Sequence, residues 1–186
     1  ISSEDVTNEQ RRYAKTINFG LIYGMSSFGL AKELGITRVM AQQFIDRYFA
    51  RYPGVADYMA QVRAQAASEG YVSTVLGRRL WLPELHSAQA MRRQAAERAA
   101  INAPMQGTAA DIIKRAMLAV FHWLRTERLH SRLILQVHDE LILEVPTAEL
   151  AQVQAALPTL MENVLPLAVP LVVNIGVGAH WQAAHA

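Results

Sequence analysis

Residues 133–145, LILQVHDELILEV, limit what this chain can fold into more than any other stretch. Two apolar runs of strand length flank the polar residues His138, Asp139 and Glu140. Apolar side chains recur at every second position of each run, which is typical of half-buried strands. They are Leu133, Leu135 and Val137 before the polar residues and Leu141, Leu143 and Val145 after them. We therefore predict an antiparallel hairpin with a polar tip.

The predicted tip lacks the Asn-Gly or Asp-Gly pair that a tight hairpin favours for its positive φ angles. It carries a histidine and two adjacent carboxylates instead. Hard oxygen ligands on a rigid sheet suit Mg²⁺, so Asp139 and Glu140 are candidate metal ligands. The alternative is a plain polar tip whose carboxylates lie in water. These three residues alone do not decide between the two interpretations.

The composition is that of a globular chain. Its 186 residues are enough for a substantial core, and 52% of them are hydrophobic, which excludes a disordered protein. The absence of cysteine excludes disulfides and thiolate metal sites and fits a cytoplasmic location. No apolar run approaches the length of a membrane span, so we expect neither a leader segment nor a membrane partner.

Basic residues are clustered although the net charge is only +2. A small net charge with local basic clusters favours a shaped nucleic-acid groove over a general polycation. The clusters are Arg11, Arg12 and Lys15, then Arg78 and Arg79, then Arg92, Arg93 and Arg98.

A helix is predicted over residues 8–23, because Thr7 and Gln10 form a capping-box pattern at its start. Every fourth residue along it belongs to one face, in the order Arg11, Lys15, Phe19 and Tyr23. This row spans about 18 Å, the reach of a nucleoside triphosphate with its phosphates at the cationic end. The alternative is a surface row that continues into an ordinary packing face.

The remaining pattern predicts an α+β fold, mostly helical in residues 1–70, with a small antiparallel sheet and packing helices in residues 71–186. Short helices should end at Gly35, near Tyr52 and at Gly70, and a small hairpin should turn at Leu76-Gly77. A helix over about residues 89–124 should be interrupted at residues 103–105, with a break or kink near Asn102, and a helix over residues 148–164 should kink or divide at Pro158. Residues 169–177 should form a last strand that joins the central hairpin.

Three motifs in order carry a family resemblance. Residues 11–24, RRYAKTINFGLIYG, resemble the fingers-helix motif of family A DNA polymerases, and residues 136–140, QVHDE, resemble their second metal-carboxylate motif. Residues 98–111, RAAINAPMQGTAAD, also match between them. The resemblance extends over essentially the whole chain and implies a fingers-like portion in residues 1–70 and a palm-like portion in residues 71–186.

The resemblance implies template-directed nucleotidyl transfer from a dNTP to a primer 3′-OH by a two-metal Mg²⁺ mechanism. Asp139 would be the bridging carboxylate and Glu140 a secondary ligand. Lys15 would neutralise phosphate charge and protonate the leaving group. Further dNTP contacts would be Arg11 at the phosphates, Phe19 at the sugar and Tyr23 at the nascent base pair. A phenylalanine at position 19 implies discrimination against nucleotides that lack the 3′-OH.

Five basic or amide residues and one histidine are implied DNA contacts. Arg98, Asn102 and Gln106 would contact the primer–template, Arg92 and Arg93 the template phosphates, and His138 the primer end. All of them except Arg98 have a structural alternative. Asn102 and Gln106 could satisfy backbone groups freed at Pro104, the arginine pair could be a solvated helix face, and His138 could be an ordinary tip residue.

One departure from the family is serious. The other metal carboxylate of these polymerases belongs to an Asp-x-Ser-x-x-Glu-Leu pattern, which does not occur in this sequence. We therefore expect a polymerase part that is inactive alone and exposes an apolar sheet edge. Its partners would be primer–template DNA, dNTPs and the missing N-terminal palm and thumb segments. The alternatives are a non-catalytic, helical nucleic-acid-binding module and, ranked last, a Mg²⁺-dependent nuclease.

Overall fold

The chain forms two compact units in a computed structural model that describes residues 5–185. The first unit ends at Gly107 and the second begins at Thr108. This boundary divides the chain into two regions that are each densely packed. The division between residues 70 and 71 that the sequence predicts is one of role, fingers-like before it and palm-like after it, and it stays a prediction.

Four helices open the first unit, and local capping explains their bounds. Helix α1 (Asn8–Ile22) begins where Thr7 Oγ1 accepts from the Gln10 N–H and Gln10 Oε1 accepts from the Thr7 N–H, which is the predicted capping box. Gly35 and Gly70 end two of the other helices in the left-handed conformation, as predicted. These helices are α2 (Ser27–Leu34), α3 (Arg38–Arg51) and α4 (Pro53–Glu69).

A short hairpin follows α4, and it turns at the predicted position. Strand β1 (Tyr71–Ser73) pairs antiparallel with β2 (Arg79–Trp81), and Gly77 has a φ of 83° in the turn. The hairpin packs on α4 and on the next helix through a buried apolar cluster. Its members are Val62, Ala66, Val72, Leu82, Leu85, Ala96 and Ala100.

Helix α5 (Ala90–Thr126) continues through Pro104, so the predicted break near residues 103–105 is wrong, whereas the alternative of a kink stays a prediction. Proline cannot donate the helical hydrogen bond to the carbonyl of Ala100, and an interior proline typically costs about 3 kcal/mol. Ala100 and Ile101, in the turn before it, are both fully buried. Burial of one large aliphatic side chain contributes about 1.5–3 kcal/mol, so packing on this turn offsets the missing bond.

The second unit contains the predicted central hairpin. Strand β3 (Arg132–Val137) pairs antiparallel with β4 (Glu140–Glu144), and the pairing of Val137 with Glu140 leaves His138 and Asp139 as a two-residue turn. In the core of this unit, Val120 and Leu124 of α5 pack against Val153 and Leu157 of helix α6 (Leu150–Glu162). Three residues of the hairpin and its end are partly buried beside them, namely Leu141, Leu143 and Val145.

The apolar alternation predicted for β3 is wrong in its second half. Leu133 pairs with Leu143 and Leu135 pairs with Ile142, so Ile134 is an extra residue in a β-bulge. The bulge reverses the alternation, and the side chains of Ile134 and Leu135 are 58% and 50% exposed. Two apolar side chains of β3 are therefore exposed, and the apolar sheet edge expected from the sequence stays a prediction.

Two further predictions for the second unit meet the structure differently. Helix α6 is continuous through Pro158 because Val153 and Leu157, which precede the proline, anchor its apolar face, so the predicted division is wrong and the alternative of a kink stays a prediction. Residues 169–177 form no strand. The Val173 N–H donates to Glu162 Oε1 at 2.8 Å, and the backbone at Gly176 lies against Ala184 in the short helix α7 (Trp181–Ala184). These contacts take the place of a strand ladder.

No helix in the described part of the chain is long and apolar enough to span a membrane.

Candidate functional site

The predicted row on α1 is open along its length. Arg11 and Lys15 are exposed, and no carboxylate within residues 5–185 pairs with either of them. Phe19 and Tyr23 are 51% and 37% exposed, and their rings stack with centroids 6.2 Å apart and planes 24° apart. The helix therefore presents two uncompensated cations followed by two stacked aromatic rings.

The end of α1 meets α5 at Gly24. Gly24 has a φ of 74°, and a Cβ added there would lie 3.4 Å from Arg98 Cγ and 3.8 Å from Ile101 Cδ1. The left-handed conformation disfavours a side chain there, although the added Cβ would make only ordinary contacts. The structure thus brings the aromatic end of the α1 row next to Arg98.

Asn102 carries an unsatisfied acceptor. Its Oδ1 atom is buried and has no hydrogen-bond partner in the described residues. An unpaired buried polar atom typically costs about 1–3 kcal/mol, which favours a donor supplied from outside the chain. This oxygen therefore satisfies no backbone donor near Pro104. Arg98 and Gln106, one turn to either side, are exposed.

Arg92 and Arg93 are less available than the sequence suggested. Arg93 Nη1 donates to the carbonyl of Ser87 at 3.0 Å and holds the loop that precedes α5. Arg92 Nη1 lies 3.8 Å from Glu84 Oε1 in an exposed, weak ion pair. Both side chains therefore have structural partners, and their contact with template phosphates remains a prediction.

The tip of the central hairpin is strained. His138 has a φ of 52° at the first turn position, which is usually occupied by glycine. A non-glycine residue in this region typically costs about 1–3 kcal/mol, and such strain is concentrated at functional sites. Gln136 Nε2 donates to the His138 carbonyl and braces the turn. The Asp139 side chain is exposed, and no described residue donates to its carboxylate.

The two candidate metal ligands differ in their surroundings. Glu140 Oε2 lies 3.1 Å from His185 Nε2, whereas Asp139 remains open. Sequence reasoning missed His185, because nothing near it in the chain indicates this partner. Asp139 fits the role of one hard oxygen ligand to Mg²⁺. Within residues 5–185, however, no group of three or more His, Cys, Asp or Glu side chains is arranged to hold a metal ion.

Glu149 anchors the open end of the same hairpin and was also missed. It accepts from Ser131 Oγ at 2.6 Å, from the His130 N–H at 2.8 Å and from the Ser131 N–H at 2.9 Å. The Ser131 hydroxyl and the His130 backbone N–H lower the pKa of Glu149 from 4.5 to about 2. This carboxylate stays ionised at neutral pH and ties the residues before β3 to those after β4.

Comparison with known proteins decides the family. The family model for DNA polymerase family A matches residues 1–183. The chain belongs to DNA polymerase family A. The family and the α+β fold class predicted from the sequence are both confirmed.

The relatives of this family A chain are bacterial enzymes. It is 62% identical over 98% of its length to DNA polymerase I of Pseudomonas aeruginosa and 50% identical over 99% to that of Geobacillus stearothermophilus. It spans only 20% and 21% of those two proteins. Among solved structures, it is similar to the POL domain of Pol1 from M. smegmatis in complex with DNA primer-template and dNTP. That match has a TM-score of 0.95 and 48% identity, and covers 98% of this chain and 32% of the other.

Proposed function

We propose that this chain supplies the fingers and part of the palm of a template-directed DNA polymerase, with residues 1–70 as the fingers and residues 71–186 as palm. In this family A chain, one observation carries the proposal. The α1 row of unpaired cations and stacked rings ends beside Arg98, where a nucleotide and a primer–template would have to meet.

The incoming dNTP binds along α1. Arg11 and Lys15 take the phosphates, since neither cation has a carboxylate partner among the described residues and each can neutralise phosphate charge. Phe19 contacts the sugar, and Tyr23 stacks at the nascent base pair. The ring planes, 24° apart, support this because they offer a nearly continuous apolar surface to the sugar and base.

The primer–template binds along α5. Arg98 contacts a phosphate, and Asn102 and Gln106 contact base edges or sugars. The unpaired Asn102 Oδ1 supports this assignment, because a nucleic-acid donor or a bridging water would satisfy it. Arg92, Arg93 and His138 provide further contacts to the template phosphates and the primer end.

Asp139 would hold the divalent metal as a hard oxygen ligand, with Glu140 as a secondary ligand. Bound Mg²⁺ would supply activation of the primer 3′-oxygen and charge stabilisation of the leaving pyrophosphate. Lys15 neutralises charge on the phosphates and donates a proton to the leaving group. The other metal carboxylate comes from an N-terminal palm segment, which acts as a partner together with the thumb.

Single-nucleotide primer extension with Mg²⁺ tests this proposal. We expect no extension by the chain alone and extension when the N-terminal palm segment is added. Asp139→Asn should then reduce the rate on the order of 100-fold or more. The amide would hold the divalent ion less well, so the negative charge of the transition state would lose stabilisation. Primer–template affinity should stay within about twofold. Glu144→Gln, which removes an exposed carboxylate at the far end of β4, is the matched control.

Other outcomes would identify other functions. DNA binding that depends on Arg98, with no extension under any condition, would indicate a non-catalytic binding module. DNA degradation in Mg²⁺ without nucleotides would indicate a nuclease. Extension by the chain alone would mean that a second metal carboxylate lies within these residues and that the division of the site is wrong.

A further inference from the structure

His185 makes a directed contact with the hairpin that carries Asp139. Its Nε2 atom lies 3.1 Å from Glu140 Oε2, and the two side chains are 50% and 43% exposed. An ionised carboxylate only accepts hydrogen bonds, so Nε2 must carry the hydrogen. No described residue donates to the other carboxylate oxygen, Oε1.

The imidazole of His185 is held in place by the end of the chain. Its ring packs edge-on against Trp181 at a centroid distance of 5.7 Å. His180 Nδ1 accepts from the Ala183 N–H at 3.2 Å and caps α7 at its start. These contacts restrict the orientation of the ring that faces Glu140.

The preceding segment seats α7 by close backbone contact. A Cβ added at Gly176 would overlap the Ala184 carbonyl oxygen, and one added at Gly178 would lie 2.6 Å from the Ala184 nitrogen. Only glycine permits such an approach. Residues 176–178 and α7 therefore form a backbone-packed support for His185.

We propose that His185 is a positioning residue for Glu140, which deepens the proposed polymerase function and rests on it. The Nε2–H group holds Glu140 Oε2 and leaves Oε1 available to the divalent ion that Asp139 would hold. His185 touches neither substrate nor metal. It prevents the Glu140 carboxylate from rotating freely next to Asp139, as outer hydrogen-bond partners do for ligands in other metal sites.

Three variants separate the hydrogen bond from the ring packing. His185→Phe keeps an aromatic ring against Trp181 and removes the donor. His185→Gln keeps an N–H donor and removes the ring. His122→Phe makes the same chemical change at an exposed position on α5 and is the control.

The first readout does not require activity. Mn²⁺ is titrated into the full chain while paramagnetic broadening of the Asp139 and Glu140 amide signals is followed by NMR. We expect His185→Phe to need about three- to tenfold more Mn²⁺ for half-broadening, which is less than the roughly 10- to 100-fold typical of outer partners because the pair is partly exposed. His185→Gln and His122→Phe should stay within about twofold of wild type.

Equal Mn²⁺ dependence of wild type and His185→Phe would overturn the inference. So would a His185→Gln variant that behaves like His185→Phe, or a wild-type chain with no broadening at the tip. Primer extension with the palm segment separates this inference from the polymerase proposal. No extension by any variant refutes the polymerase proposal alone. Wild-type extension with an unchanged Mg²⁺ requirement in His185→Phe refutes the role of His185 alone.

Discussion

Gly107→Ala should destabilise the first unit, although alanine is normally the better helix residue. A Cβ at Gly107 would lie 2.6 Å from Thr74 Cγ2 and 3.4 Å from Arg78 Nη2. Thr74 is only 7% exposed, and its Oγ1 accepts from the Arg78 N–H at 3.2 Å. Arg78 Nη2 in turn donates to the Gly107 carbonyl at 2.8 Å. The new methyl group therefore has to displace the β1–β2 hairpin from α5.

Two effects of opposite sign set the size of the change. Replacing glycine by alanine in a helix stabilises it by about 1 kcal/mol. Overpacking a filled contact typically costs about 1–3 kcal/mol, and 2.6 Å is well inside the distance that a methyl group can occupy. We expect a net loss of about 1 kcal/mol in the free energy of unfolding, measured by urea denaturation.

A double-mutant cycle with Thr74→Ser tests the cause. Serine lacks Cγ2 but keeps the hydroxyl that accepts from Arg78, so Gly107→Ala should be neutral or stabilising when Thr74→Ser is already present. The coupling energy should be about 1–2 kcal/mol. Gly54→Ala in α4 is the control, since nothing lies within 4 Å of its added Cβ. The reasoning is wrong if Gly107→Ala stabilises as much as Gly54→Ala, or if Thr74→Ser recovers nothing.

Three other variants test the remaining assignments. Ionised Glu149 stabilises the fold above pH 4.5 and loses this effect as the pH falls towards its folded-state pKa of about 2. The urea midpoint of Glu149→Gln should therefore lie below that of wild type at pH 7 and converge with it near pH 2, and a constant gap would contradict this. Phe19→Tyr should raise the insertion of 3′-deoxy nucleotides relative to dNTPs in the assembled polymerase, and an unchanged ratio would remove Phe19 from the sugar site. Arg98→Ala should weaken primer–template binding and lower the salt slope by about 1, whereas an unchanged slope would exclude a phosphate contact.

Local sequence signals were sufficient to predict most of the helices and their ends. The Thr7–Gln10 capping box and the left-handed caps at Gly35 and Gly70 act within four residues of the helix ends, so the sequence states them directly. The effect of a proline depends instead on what packs on the turn before it. Pro104 and Pro158 both lie in unbroken helices. In each helix, buried residues that precede the proline pack against distant elements and hold that part of the helix in place.

The candidate site also combines features that local sequence predicts with features that only the folded structure shows. The spacing of Arg11, Lys15, Phe19 and Tyr23 guarantees a common helix face, and the hairpin pattern places Asp139 at a tip. The contact between Gly24 and Arg98, the unpaired oxygen of Asn102 and the pair of Glu140 with His185 could not be read from spacing. The two contacts join residues that are 45 or more positions apart in the chain, and the state of the Asn102 oxygen depends on its burial.

By itself, the sequence determined the family, the α+β class and two features that act locally, the α1 row and the polar hairpin tip at residues 138–140. These depend on hydrogen bonds and periodicities within a few residues. Tertiary structure alone decided the bulge at Ile134, the loss of the strand over residues 169–177 and the contact of His185 with the tip. In each of these cases a backbone or side-chain group has more than one possible hydrogen-bonding or packing partner. Which partner it takes depends on the distant groups that folding brings close to it.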